Sequence, residues 1–426
     1  MLWWKHVHGY GWQGEALLFD VRGTGRCVMT CEELFLEIYQ RKPLTSFCPY
    51  RVCPLGAHID HQLGPVLGFA LDYGVHMAYG VKQNGVVELQ SMNFPKRVQF
   101  YVASVPEEKE GDWGDYLRGA TRFLAEKYKL TKGLCGIIRG SLPSGGISSS
   151  AALTICFLRA LATVNDIVLT DNEFIYLAKR AENEYVGVSS GKLDQSCETL
   201  CRKDHLLALD CKDDSYENIP VNPAMPPIRI GIFFSGVGRN LASSAYNNRV
   251  DECKASAFAL AAYAGLYPGR KLADMYLRNI PREVFDAYKD RLPVPWRKRC
   301  MHFYSESGRV AQGIEAWRRG DAVAFGRLIT ESGRSSIANY ECGSPELIRL
   351  YEILSGLDGV YGARFSGAGF KGCCMALIDP TKSDQIKRTV EREYLATFPA
   401  MKETYKAYMC ATADGVGSHA TPNRQG

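Results

Sequence analysis

The 426-residue chain has fifteen cysteines, yet no Cys-x-x-Cys pair and no Cys/His set at zinc-binding spacing. That excludes zinc ribbons, zinc fingers and dithiol redox motifs, and leaves reduced, mostly buried thiols as the reading. No apolar run approaches ~18 residues, so no transmembrane helix is expected. Residues 1–8 lack the charged leader and long apolar stretch of a secretory signal, and the expected location is cytoplasmic. Charge of either sign is nowhere in excess: 51 Lys and Arg face 46 Asp and Glu, a net of +5 without a dense basic block. Neither nucleic acid nor a membrane surface is therefore an expected partner, and no obligate protein partner is indicated. Internal repeats and low-complexity segments are also missing.

What remains is a globular composition on a chain too long for one core, so two domains are expected. A polar stretch with prolines, residues 212–227, reads as the link between them. The domains are then residues 29–215 and 216–410. Residues 1–28 form an extension of no assigned role, and 411–426 a tail, mobile after Asp414. The first hundred residues are rich in strand patterns. Two capping boxes, Thr30-x-x-Glu33 and Thr170-x-x-Glu173, announce helix starts. Residues 272–288 and 297–319 read as helices of the second half.

The stretch Pro143-Ser-Gly-Gly-Ile-Ser-Ser-Ser-Ala151 lies between the end of a strand at 136–140 and an apolar helix. A Gly/Ser loop running into a helix N-terminus offers free backbone N–H groups and the positive end of the helix dipole. Pro143, Ser144, Gly145, Gly146, Ser148, Ser149, Ser150 and Ala151 are candidates for a phosphate cradle. Read by itself, the stretch is equally a serine-rich turn before a core helix. It is not a Walker loop, because no Gly-Lys-Ser/Thr follows.

Two further stretches accompany it: Pro49-Tyr-Arg-Val-Cys-Pro-Leu-Gly-Ala-His-Ile-Asp-His61 and Gly362-Ala-Arg-Phe-Ser-Gly-Ala-Gly-Phe-Lys-Gly-Cys-Cys374. In this order the three resemble the motifs of the GHMP small-molecule kinases, and most of all those of the galactokinase branch. The resemblance spans nearly the whole chain. It implies an α+β, two-lobed fold, with an N-terminal lobe like the second domain of ribosomal protein S5 and a ferredoxin-like C-terminal lobe. It also implies ATP and Mg²⁺. Asp194 matches the family's catalytic aspartate and Arg51 its paired arginine. Ser150 (with Ser149 as alternative) and Glu182 match the magnesium ligands, while Glu184 reads as a surface charge. Gly367 and Gly369 match a loop that packs against the phosphate cradle. Lys371 either reaches phosphate or is solvated, and Trp113 either borders the adenine or fills the core.

The sugar site carries a departure. Galactokinases read Gly-Glu-His-Thr-Asp-Tyr where this chain has Gly56-Ala-His-Ile-Asp-His61. Asp60 remains and Tyr246 matches a sugar-contacting position, with His58 and His61 as further substrate-binding candidates, but the family's glutamate is Ala57. A glutamate there would repel a C6 carboxylate at ~4 Å by about 1 to 4 kcal/mol, and its loss also makes room. Galacturonokinases show the same departure, and several stretches look like theirs. The expected reaction is transfer of the γ-phosphate of ATP to the C1 hydroxyl of D-galacturonate. The alternatives are a kinase for galactose or another galacto-configured sugar and, more distantly, a non-catalytic sugar sensor. His58, His61, Arg239 and Arg249 are the candidate cations for the acid group.

Overall fold

The computed structural model describes residues 29–238, 242–266 and 271–417. Residues 1–28, to which the sequence assigns no role, and Arg239 lie outside the described residues.

The first lobe runs α1 (Cys31–Tyr39), β1 (Leu44–Val52), β2 (Pro65–Lys82), β3 (Val86–Ser91), β4 (Val98–Tyr101), α2 (Asp115–Lys127), β5 (Gly133–Gly140), α3 (Ser149–Val164), α4 (Asp171–Arg180), α5 (Leu193–Leu200), β6 (His205–Asp210) and β7 (Tyr216–Pro220). Both capping boxes form: Thr30 and Thr170 each accept the N–H of the glutamate three residues on, which bonds back to the cap N–H. The strands make one sheet in the order β4-β3-β5-β2-β6-β7, with β1 also paired to β2. The long strand β2 is its spine. The apolar α3 covers this sheet, with Ile155, Phe157, Leu158 and Leu161 inaccessible to solvent.

The second lobe comprises β8 (Arg229–Phe234), α6 (Ala242–Tyr263), α7 (Arg282–Tyr288), α8 (Val294–Arg318), α9 (Ala322–Ser335), α10 (Pro345–Gly356), β9 (Val360–Phe365), β10 (Cys373–Ile378), α11 (Ser383–Thr397) and β11 (Lys406–Cys410). Its four strands are antiparallel in the order β11-β8-β10-β9. Numbered within the lobe this is fourth, first, third, second, the split βαβ order of ferredoxin-like folds. Strand alternation buries both faces. Ile230, Ile232, Phe234, Met375 and Leu377 join the core of the first lobe, while Phe233, Cys374, Ala376 and Ile378 join that of the second.

Three sequence expectations are corrected. β7 lies inside residues 212–227 and pairs with β6, so the first lobe reaches Pro220. It reads as a polar link because it is an exposed edge strand. Residues 272–288 are not one helix. They form two 3₁₀ turns and then α7, whose start is set by Pro281 at the N-cap. The tail is tied down through Gly417. β12 (Thr412–Ala413) pairs with β2, and the N–H groups of Gly415, Val416 and Gly417 donate to the carbonyls of Cys201, Glu198 and Thr199.

The fourteen described cysteines are buried, and none of them is in a disulfide. Among the described residues no helix is long and apolar enough to cross a membrane.

Candidate active site

Three glycine-bearing segments, distant in sequence, meet at one cavity of about 440 Å³ between the lobes. The loop after β5 and the loop after β9 touch backbone to backbone. Gly145, Gly146, Gly367 and Gly372 have φ of 124°, 85°, 68° and 106°. A Cβ on Gly372 would stand 2.7 Å from the Gly145 carbonyl carbon, and one on Gly367 2.8 Å from the Gly146 Cα. No side chain fits either place. The first loop delivers Ser148, Ser149 and Ser150 to the start of α3. Ser148 Oγ is buried with no hydrogen-bond partner. An anion oxygen at this helix end would satisfy it.

Arg51 is the penultimate residue of β1, just beyond a slip in the β1–β2 register between Pro49 and Arg51. Pro49 has no N–H to keep the ladder regular, and the irregularity re-aims the next side chains. Arg51 Nε donates to Asp194 Oδ1 at 2.8 Å, and Nη2 lies 2.7 Å from the same oxygen. Nη1 donates to the Gly146 carbonyl at 3.2 Å, fastening the arginine to the loop. The Arg51 side chain is 3% exposed and that of Asp194 24%, so the carboxylate is the partner presented to the cavity. Burial alone would favour neutral Arg51, but Asp194 outweighs it and the pKa ends above the ordinary value.

The helix of α4 widens to a π turn over Ala181–Val186. The extra residue per turn directs Glu182 inward, while Glu184 pairs with Arg180 on the outside. Glu182 accepts from Gln195 Nε2 at 2.6 Å and from the Ser150 hydroxyl. Burial first, and then the charge of Asp194, push its pKa up to about 7. One carboxylate and one hydroxyl are hard oxygen donors that suit Mg²⁺. Among the described residues no group of three or more His, Cys, Asp and Glu could hold a metal. Other ligands of an ion here would come from phosphate and water.

At the other end of the cavity Asp60 accepts the Leu193 N–H at 3.4 Å, seated over the start of α5. A Cβ on Gly191 would fall 2.2 Å from its Oδ2. Burial, then Asp194, raise its pKa to about 6. Ala57, His58 and Tyr246 line the same end. His58 Nε2 lies 3.0 Å from the Gly367 carbonyl, and the ring stacks on Tyr340 at 4.3 Å. A carbonyl only accepts, so Nε2 carries the hydrogen. Burial first, then Arg364, keep the imidazole neutral.

Several predicted residues lie elsewhere. His61 faces Tyr340 Oη at 3.2 Å and Gln62 Nε2 at 3.0 Å, behind the cavity wall. Arg249 donates to the Tyr340 and Glu341 carbonyls and pairs with Glu252. Ala151 is buried in the first turn of α3, and Gly369 packs against Cys342 and His58. Lys371 does line the cavity.

A second chamber of about 250 Å³ adjoins the first through Tyr116, Ser144 and Ser150. Trp113, Phe94, Pro143 and Ser149 line it. The Trp113 indole also packs on the first-lobe core and donates to the Lys96 carbonyl at 2.7 Å. Sequence reasoning missed Tyr116, which lies three residues after Trp113 and lines both cavities. It also missed Phe94, which no pattern marks. An apolar chamber, an anion loop, an Asp/Arg couple and a polar pocket follow one another in space. That order suits phosphoryl transfer from a nucleotide to a small hydroxyl compound.

Comparison with known proteins agrees. The GHMP kinases N terminal domain matches residues 115–202, the GHMP kinases C terminal domain 314–396, and the galactokinase galactose-binding signature 33–81. A galacturonokinase of Arabidopsis thaliana is 38% identical, over 81% of this chain and 85% of that protein. A galactokinase of Roseiflexus sp. (strain RS-1) is 32% identical, over 87% and 91%. The crystal structure of Lactococcus lactis galactokinase complexed with galactose superposes with a TM-score of 0.81 at 28% identity, covering 90% of this chain and 97% of that one.

Proposed function

The chain belongs to the GHMP kinases and is an ATP-dependent sugar kinase; from that premise we propose that its acceptor is D-galacturonate, phosphorylated at the anomeric C1 hydroxyl. The products are D-galacturonate 1-phosphate and ADP. The observation that carries the reading is the Asp194–Arg51 couple, held between the anion loop and a pocket whose wall at position 57 is a methyl group.

The adenine occupies the chamber beside Trp113 and Tyr116, and the phosphates lie along Ser144–Ser150. Asp194 orients the C1 hydroxyl and accepts its proton as the C1 oxygen bonds to the γ-phosphorus. The bond from that phosphorus to the β–γ bridging oxygen breaks, and ADP leaves. Arg51 holds the Asp194 carboxylate in place and opposes the charge that gathers on the transferring group. Ser150 and Glu182 would hold Mg²⁺, which neutralises phosphate charge when bound. Asp60 and Tyr246 hold the ring hydroxyls. Buried thiols, none of them in a disulfide among the described residues, support a reducing setting such as the cytoplasm.

Galactose is the second reading, favoured by the match to the galactose-binding signature. Side-by-side initial rates of ADP release decide between them. A higher kcat/KM for galacturonate is expected. An equal or higher value for galactose refutes the assignment.

A further inference from the structure

The cavity wall at Ala57 presents a methyl group, and the polar backbone on either side of it faces away from the sugar. The Gly56 N–H donates to Glu306 Oε1 at 2.8 Å, and the Ala57 carbonyl meets His302 Nε2 at 3.0 Å. Both partners stand on α8, directly behind the wall. Glu306 is fully buried and shared by two guanidinium groups. Arg309 Nη2 lies 2.6 Å from its Oε2, and Arg364 Nη1 lies 3.4 Å from its Oε1. The other acceptors around these arginines are neutral: Ser305 Oγ for Arg309, and Ser332, Ser336 and the Phe365 carbonyl for Arg364. Burial alone would raise the pKa of Glu306, but the arginines overcome this and hold it at about 2. Burial lowers that of His302 to about 4, so it adds no charge at neutral pH. Two positive charges therefore oppose one negative charge, and the cluster keeps one unit of positive charge in a poorly screened place. Its field reaches the cavity, because Arg364 is the largest charge acting on His58.

We infer that Arg309 and Arg364 set the preference for an anionic sugar: their excess charge behind Ala57 attracts the C6 carboxylate without touching it. The inference rests on the galacturonate reading above and supplies the cation it lacks. Of the four candidates from sequence, His61 and Arg249 are engaged elsewhere and His58 is neutral. Arg239 lies outside the described residues.

Arg309 is the better handle, since its removal leaves Glu306 still paired with Arg364. Arg309→Gln takes the cluster from one unit of charge to none and keeps a donor; Arg309→Lys keeps the charge. The Gln variant should lose about tenfold in kcat/KM for galacturonate, mostly through KM, with galactose changed by less than about twofold. The Lys variant should retain the wild-type ratio of the two sugars. Equal losses for both sugars would mark Arg309 as merely structural and overturn the inference, as would an unchanged ratio. Should the Gln variant fail to fold, the wild-type protein still answers. Calorimetry should find galacturonate bound about tenfold tighter than its uncharged methyl ester, and equal or weaker binding overturns the inference. A wild-type enzyme that does not use galacturonate sinks both readings; one that does, with an unselective Arg309→Gln result, sinks this one alone.

Discussion

Substituting Ala57 by Glu and, separately, by Gln isolates charge from shape. Ala57 is buried in the wall of the sugar pocket, and either side chain would enter the space above it. Glutamate would be held ionised there by the guanidinium pair behind it, as Glu306 already is. Against a C6 carboxylate at ~4 Å it costs about 1 to 4 kcal/mol, as the effective dielectric falls from that of water to that of a protein surface. That is about fivefold to about 900-fold in kcat/KM. It would also cancel the excess positive charge of the cluster, so the upper part of the range is expected. Toward galactose the same carboxylate is an acceptor for the C6 hydroxyl, and kcat/KM should hold or rise. Glutamine fills the same volume without the charge and should cost galacturonate far less than glutamate does. The assay is initial-rate ADP release for both sugars with all three proteins, at saturating ATP. If Glu and Gln reduce galacturonate turnover equally, the pocket discriminates by space and the electrostatic reasoning fails.

Two more outcomes are expected. Asp194→Asn should lower kcat by about 10² to 10⁴ with little change in sugar KM, read in a steady-state assay; near-normal turnover would remove Asp194 from the proton-accepting role. Glu182 binds its proton more tightly in the folded chain, with a pKa of about 7 against an ordinary 4.5. The stability this gives is complete below about pH 4.5 and is lost as pH rises through about 7, by up to about 3 kcal/mol. Tm measured without nucleotide should therefore fall across that window, and Glu182→Gln should flatten the upper part of the fall; an unaltered slope would mean that Glu182 ionises freely.

Local signals were legible in the sequence and long-range ones were not. The capping boxes at Thr30 and Thr170 form because every partner lies within three residues. The Gly/Ser loop offers an anion site by its backbone chemistry, but alone it reads equally as a serine-rich turn, and the two companion stretches decide between them. The Asp194–Arg51 contact joins residues 143 positions apart, and only a resemblance to relatives suggested it. The Glu306–Arg309–Arg364 cluster was not legible as a cluster: Arg364 falls inside the third glycine-bearing stretch, but Glu306 and Arg309 read as ordinary helix charges, and only packing buries the three together. β7 was hidden because an edge strand can be as polar as a loop. His61 was misplaced because a 3₁₀ turn at Asp60–Gln62 sends neighbouring side chains to different sides of one wall.

The ties from Gly415, Val416 and Gly417 to the last turn of α5 also bear on the order in which the protein is made. The helix that carries Asp194 emerges from the ribosome long before the residues that satisfy its terminal carbonyls. During synthesis it waits, incompletely capped, while the whole second lobe is translated. The phosphate-transfer centre is thus among the last parts of the molecule to be finished, and a chain released a few dozen residues early would carry Asp194 on a helix with a frayed end.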